Sequence, residues 1–515
     1  MKKTDIFFIV LGIILNMVIP PLPAYAQTFQ KTYGDKSSSE GYCIEKTTDG
    51  GYAILGKKND DMFFVKTDAN GDTLWTKIYG GPGEEYGKSL VETSDGGYLL
   101  AGNTTGSFYK DGIFIIHTDA NGNILWEKVY AGSDANSVIE TKDHGYAIAA
   151  GDTLGMCLLK IDADGNVQFK KIFLGSGSDI GRSIKQSSDN GYILLGTTYL
   201  FGTSSGTLAN MFLVKTDSVG DTLWTKVYGD NHELSWTDAC SVEITDDGGY
   251  IISGATTGFT VVGTSVLVIK IDSIGNILWN KVFNDLVGSG NCLKKDGSDY
   301  VIAATNGLSS NNANILLLKI NGAGDTLWSR SYGSSGTGKN SFGNYVSIAN
   351  DGGYAILGAT NSFSDSVDIY NTYIVKTDSL GESKCNTYPG YLISIKNPFV
   401  TVTKPSTKAV SSPCTAIDVI STVGSGCAVK DICFTESINE TEAKELLPTV
   451  VYPNPATDYI VVENTGKNLF YLYDLSGKLV LQKQVDQKEK IDLSLPNGIY
   501  FYSIGRYKGK IVILN

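Results

Sequence analysis

The sequence predicts an all-β chain, and three observations carry that reading. The 515 residues include 59 Gly and 29 Tyr but are only 19% charged, a balance that suits many short strands and tight turns. Runs rich in Val, Ile, Tyr and Trp are bounded by Gly, Asn and Asp, the residues of hairpin turns. One such pattern recurs along most of the chain. The hydrophobic share of 42% supplies a core and excludes global disorder, and the length calls for two or three domains.

The repeat is clearest at Thr73-Leu74-Trp75-Thr76-Lys77-Ile78-Tyr79-Gly80 and at Thr222-Leu223-Trp224-Thr225-Lys226-Val227-Tyr228-Gly229. Further copies centre on Trp126, Trp279 and Trp328. Phe169 holds the place in a weaker copy, Phe29 opens the first, and Cys385 stands where the next Trp is due. These landmarks lie about 51 residues apart, the period of propeller blades or arrays. Each unit runs through a strand, an Asp-Gly-Gly turn (49–51, 95–97, 247–249, 351–353), two apolar strands, an Asn-Gly-type turn and the Trp strand. Four strands in each of seven units predict a seven-bladed β-propeller over residues 27–388, with a solenoid as the alternative. The seventh unit lacks its last strand. The orphan strand Phe29–Tyr33 is expected to fill that place and remove two exposed edges. The Trp rings are expected to pack between units. Small residues at Cys43, Ser89, Ser137, Ser183, Ser241 and Ser347 are expected to pack around the axis, a Ser-lined ligand site being the alternative.

The N-terminus is an address. Lys2 and Lys3 precede an apolar run from Ile6 to Ile19, then prolines and Ala24-Tyr25-Ala26. This reads as a Sec signal peptide over residues 1–26, cut after Ala26. The run is about 14 residues, short for a membrane span, and an uncleaved anchor is the alternative. No transmembrane helix is expected in the mature chain. The net charge of −12 argues against nucleic acid or an anionic membrane as the main partner. With His at 3, a His-built metal or triad site is not expected.

The turn Asp68-Ala69-Asn70-Gly71-Asp72 recurs at 119–123 and 162–166, and more loosely at 217–221 and 272–276. Oxygens at alternate places around a Gly could hold calcium, with Asp68, Asn70, Asp72, Asp162 and Asp164 as candidate ligands. The same residues make turns without any ion, and the distal Glu of an EF-hand is missing. Calcium is thus the one ion left open, and no other cofactor is expected. No nucleophile motif appears, and the scattered carboxylates define no glycosidase pair. His117 takes the place of a repeat Lys, and His144 that of the first turn Gly. Binding is therefore expected ahead of catalysis. The candidate binding residues are the aromatic loop inserts Phe108, Tyr109, Tyr199, Phe201 and Trp236, which could stack on sugars or grip a protein. Their folding back onto the ring is the alternative.

Cys43, Cys157, Cys240 and Cys292 lie in strands and are expected to be buried thiols. Cys385, Cys414, Cys427 and Cys433 cluster after the repeats. In an exported protein they are disulfide candidates, with three connectivities open. Residues 389–448 are rich in Ser, Thr and Pro and read as a linker or small stapled module.

From 449 to 515 the composition changes. Val451-Tyr452-Pro453-Asn454-Pro455 leads into Tyr459-Ile460-Val461-Val462, then Tyr473-Asp474-Leu475-Ser476-Gly477-Lys478 and Asn497-Gly498-Ile499-Tyr500. Period-2 strands with these turns predict a small β-sandwich. The set resembles the type A C-terminal sorting domain of the type IX secretion system. That resemblance implies passage by Sec and then the type IX machinery, and removal of the tail by a cut near 435–450. It also implies surface attachment or release of the passenger, and a Bacteroidetes source. The sequence thus reads as an extracellular or cell-surface propeller that binds glycan or protein. An extracellular propeller enzyme (hydrolase, lyase or redox) and a structural surface component are the alternatives.

Overall fold

A computed structural model describes residues 27–513 except 35–36, 82, 106–111, 175–178, 200–208, 230–235, 258–263, 285–289, 308–311, 335–337, 365, 384, 386, 453–458, 475–477, 505–506 and, within 390–449, all but the short strands given below. The expected signal peptide with Ala26, and Pro453, Asn454 and Pro455, lie outside the described residues. Every regular element among the described residues is a strand. By contact the chain divides into two compact units, Met1–Cys433 and Phe434–Asn515.

In the first unit, β1 (Phe29–Gly34) is followed by β2 (Ser39–Lys46), β3 (Tyr52–Lys58), β4 (Asp61–Thr67) and β5 (Thr73–Gly80). β2 to β5 pair antiparallel in chain order. The same four-strand order recurs in groups that open on Glu84–Glu92, Ser133–Glu140, Ile180–Gln186, Thr237–Ile244, Gly290–Asp296 and Ser341–Ile348. The group opening on Ser341–Ile348 has three strands of its own and takes β1 as its fourth, with Phe29 opposite Lys376 and Tyr33 opposite Thr372. Each opening strand touches the next, and Ser341–Ile348 touches β2.

Burial follows from this stacking. β4 is buried along nearly its whole length because both faces meet neighbouring groups. Phe64 packs with Leu90 and Tyr98 on one side, and Phe63 with Leu357 and Ile374 on the other. The period-2 alternation of a half-exposed strand therefore disappears there. It persists in part of the fourth strand Ile124–Ala131, where half-buried Trp126 and Lys128 alternate with buried Glu127 and Val129.

Each opening strand carries a register shift near its start, as at Gly41/Cys43, Gly87/Ser89, Gly181/Ser183 and Gly343/Tyr345. The bulged residue is left unpaired and re-aimed. The register also corrects one expectation. Cys43 lies opposite Leu55 and Tyr345 opposite Leu357, so Tyr345, not Ser347, holds the seventh small-residue place. Cys292, opposite Ala303, joins the same set.

The stretch read as a linker or small module supplies strands to the first unit. Thr387–Pro389, Ser394–Lys396, Thr401–Thr403, Ala409–Ser411, Ala416–Asp418, Thr422–Gly424 and Ala428–Asp431 each pair with the outermost strand of one group. The groups are taken in reverse order, from Thr326–Tyr332 back to β5 and then β1. The segment is a strap that covers one outer edge after another. It begins beside Cys385, which is disulfide-bonded. Cys414, Cys427 and Cys433 lie outside the described residues.

The second unit has strands Val450–Tyr452, Tyr459–Tyr473, Leu479–Asp492, Gly498–Ile504 and Tyr507–Ile513 in one antiparallel sheet. Ile460, Val462, Phe470, Leu472, Val485 and Ile511 form its core. Among the described residues no helix is long and apolar enough to cross a membrane.

Candidate functional site

The recurring Trp-x-Lys-x-Tyr motif has a mechanical reading. Alternate residues of a strand share a face, so Trp75, Lys77 and Tyr79 point together from β5. All three reach the turn Asp119–Asn123 of the next group. A Cβ on Gly122 would lie 2.9 Å from the Trp75 ring, the Lys77 amine donates to Asn123 Oδ1 at 3.2 Å, and the Tyr79 hydroxyl donates to Gly122 O at 2.7 Å. Phe29, Lys31 and Tyr33 grip Gly71 and Asp72 in the same way. Trp328, Arg330 and Tyr332 grip Gly381 and Glu382. The turns proposed for calcium are thus the receiving half of this latch. Asp68 Oδ1 accepts from the amides of Asn70 (2.8 Å) and Asp72 (2.9 Å), and Asp162 Oδ1 from those of Asp164 (3.0 Å) and Asn166 (2.8 Å). Among the described residues no three His, Cys, Asp or Glu side chains gather as a metal site.

The other end of each group is different. Alternating strand direction puts the starts of the opening strands at the same end as the long loops, such as 198–210 and 256–265. The opening strands surround a cavity of about 620 Å³ that is lined from their bulges at this end, as at Lys88 and Arg182, to their last residues, as at Lys46 and Glu92. On its wall Tyr345, large where its equivalents are small, donates to Glu45 Oε1 at 2.7 Å, and the Lys294 amine lies 3.0 Å from the same oxygen and 2.9 Å from the Tyr345 hydroxyl. Burial alone would raise the Glu45 pKa, but Lys294 and Tyr345 outweigh it and hold the carboxyl ionised. Lys185 pairs with Glu243 at 2.8 Å. The serines are engaged between groups. Ser89 Oγ accepts from Val138 N at 3.1 Å, Ser183 Oγ from Val242 N at 3.2 Å, and Ser241 Oγ donates to Leu293 O at 3.0 Å. That engagement supports the packing reading of these positions. Burial pushes the Cys43 thiol up to about 12 and Cys292 to about 11, as expected for inert core thiols. Cys43, Cys240 and Cys292 are free thiols.

The bulged residues line the mouth: Tyr42, Lys88, Asn136, Arg182, Cys240, Asn291 and Asn344. Three Asn amides donate to the next group's backbone, at Gly181 O (2.9 Å), Gly343 O (2.6 Å) and Gly41 O (2.8 Å). The Lys88 amine lies 3.8 Å from the centre of the Tyr42 ring and 5.6 Å from that of Tyr86. Burial holds the Lys88 pKa below the usual lysine value, Arg182 and Lys57 add to this, and Asp134 and Glu40 oppose it. The Tyr42 hydroxyl donates to Glu40 Oε2 at 2.7 Å. A second cavity of about 450 Å³ shares Tyr42, Asn291 and Asn344 with the first and adds Glu40, Thr305, Phe342, Ala359 and Tyr370. The Phe342 and Tyr370 rings are 5.8 Å apart.

Of the residues expected from sequence, Trp236 is half-buried at the start of Thr237–Ile244, its amide donating to Thr257 Oγ1 at 3.1 Å. The Tyr199 amide donates to Asp179 Oδ1 at 3.1 Å. Both sit at the mouth end. Phe108, Tyr109 and Phe201 lie outside the described residues. Sequence reasoning missed Tyr42, Lys88, Arg182, Phe342 and Tyr370. The available signal was the small residue before most of the bulged positions: Gly41, Gly87, Gly181 and Gly343.

Residues 450–513 match the secretion system C-terminal sorting domain. The chain thus carries a type IX secretion sorting domain over these residues. Its tail sends it through the type IX system to the cell surface or the extracellular space. A search of curated proteins finds no match to the sorting-domain protein. Solved structures similar to it include a protein of unknown function from Dyadobacter fermentans, at 10% identity and TM-score 0.42, covering 68% of this chain and 97% of that one. A protein of unknown function from Bacteroides caccae aligns at 11% identity and TM-score 0.31, covering 50% and 93%. A thermostable family-43 glycoside hydrolase aligns at 11% and 0.30, covering 51% and 91%. Likenesses this low carry no argument about activity.

Proposed function

We propose that the sorting-domain protein is a Bacteroidetes-type surface or secreted seven-bladed β-propeller that binds glycan or protein without catalysis. In this reading a signal peptide over 1–26 starts export, 27–388 with the strap form the passenger, and 449–515 form a small sandwich that serves as the removable tail. The succession of touching opening strands, closed by β1, supports the seven-bladed ring. The single observation behind the binding role is the polar cavity between the opening strands, which has Tyr42 and Lys88 among its lining and adjoins a second cavity that carries Phe342 and Tyr370. Concave sites of a few hundred Å³ with convergent polar groups are the usual places for small ligands.

The test is a panel of glycans and matrix proteins offered to the exported chain, with and without calcium. A specific hit is expected, weakened at least about tenfold by Tyr42→Ala or Phe342→Ala. Trp236→Ala and Tyr199→Ala show whether the loops extend the site, and calcium dependence would assign a role to the Asp68 and Asp162 turns. A hit indifferent to every mouth variant, or turnover of a panel member, would sink the reading.

A further inference from the structure

The mouth holds two cations that no carboxylate among the described residues meets at hydrogen-bond distance. Among the described residues no carboxylate lies within salt-bridge reach of Lys88, although the chain as a whole carries a net charge of −12. Arg182 reaches Asp238 only at 3.7 Å, and its Nε is buried without an acceptor. A buried donor left unpaired is costly, so such a group calls for an explanation. The two cations occupy the same bulged place on Glu84–Glu92 and Ile180–Gln186, on either side of Ser133–Glu140 with Asn136 between them. Both therefore face one cavity mouth.

The nearby acids narrow the class of anion. Glu40 accepts from Tyr42, and Asp238 accepts from the Thr197 hydroxyl and lies beside Arg182. Asp134 also acts on Lys88. These carboxylates repel a phosphate or a polyanion but accept hydrogen bonds from hydroxyls. A ligand with one carboxylate and several hydroxyls satisfies both signs of charge. The adjoining cavity, continuous through Tyr42, Asn291 and Asn344, offers the Phe342 and Tyr370 rings, on which the apolar face of a sugar can lie.

We infer that the cavity mouth takes an acidic saccharide of the uronic-acid class, its carboxylate held between Lys88 and Arg182 and a neighbouring ring laid on Phe342 and Tyr370. This rests on the reading of the mouth as the ligand site. Cation and aromatic positions then act together: the carboxylate draws Lys88 off the Tyr42 ring, and the freed face packs against the sugar.

The experiment is calorimetric titration of the exported protein with an aldotetrauronic acid, one uronate on three neutral sugars, and with its carboxyl-reduced neutral counterpart. The acid is expected to bind at least about tenfold tighter, with the advantage shrinking as salt rises. Lys88→Gln and Arg182→Gln should each abolish the advantage. Lys88→Gln should leave the thermal midpoint unchanged, which separates lost binding from lost folding. Equal binding of both sugars, unaffected by either variant, overturns the acidic class while the mouth stands. Competition by inorganic phosphate as effective as the uronate overturns the saccharide class. If neither sugar binds and another panel ligand responds to Phe342→Ala, the inference falls alone. If no ligand responds to any mouth variant, the inference and the site fall together.

Discussion

Tyr79, Tyr130, Tyr228 and Tyr332 each donate to a glycine carbonyl in the next group, while Phe173 and Phe283 stand in the same place without a hydroxyl. Tyr228→Phe is expected to lower stability by about 1 kcal/mol in urea, because a buried carbonyl loses its donor. No change would show that the latch is packing alone. A second contact repeats at the opposite end from the mouth, where the Lys66 amine meets Asp49 at 2.7 Å and Lys270 meets Asp247 at 2.9 Å. Burial would raise the Asp49 pKa, but the bonds from Lys66, Thr47 and Gly51 outweigh it and lower it to about 2. The Thr245 hydroxyl and then Lys270 bring Asp247 to about 2. These folded values lie below the unfolded value of about 3.9, so the stabilisation is complete above that pH and is lost as pH falls through about 2. Both carboxylates are largely exposed, and screening leaves each below about 1 kcal/mol. Urea midpoints between pH 4 and pH 2 should therefore fall less steeply in Asp247→Asn than in the parent. An unaltered slope would remove this pair from the acid response. The places of His117 and His144 in the repeat were legible because a repeat announces which residue each position usually carries. His117 faces Asp95 at 3.4 Å as Lys66 faces Asp49, and His144 adopts the φ of +60° that the missing Gly would.

At the scale of elements, the four-strand groups and the use of β1 to complete the last one were legible from hydrophobic pattern and turn residues. The mouth was not. A bulge adds one residue and turns the next side chain, which a strict period-2 count assigns to the wrong face. That is why Lys88 and Arg182 passed as ordinary strand residues. The strap was also missed, because three-residue strands carry no alternation of their own. Its trace is a spacing near seven residues between Tyr388, Ile395, Val402, Val410, Ile417, Val423 and Val429. The strap occupies the outer edge of one group after another, and bare edges invite pairing with other chains. Deleting 387–431 while keeping the tail should yield a protein that self-associates and melts lower, followed by light scattering and calorimetry. A monomer of unchanged melting temperature would contradict the edge-covering role.

For the whole molecule, the sequence carried the route better than the task. Export rests on a tail whose motifs stand in family order, whereas ligand choice rests on side chains that seven neighbouring strands bring together from distant parts of the chain. The central claim is that the mouth of the axial cavity is where this protein meets its ligand. Hydrogen–deuterium exchange of the exported protein, with and without the aldotetrauronic acid, tests it most directly. Slowed exchange confined to the starts of the opening strands, around 40–43, 86–89, 181–183 and 342–345, is the result expected. Protection confined to the Asp-Gly-Gly turns or to the tail sheet would contradict it.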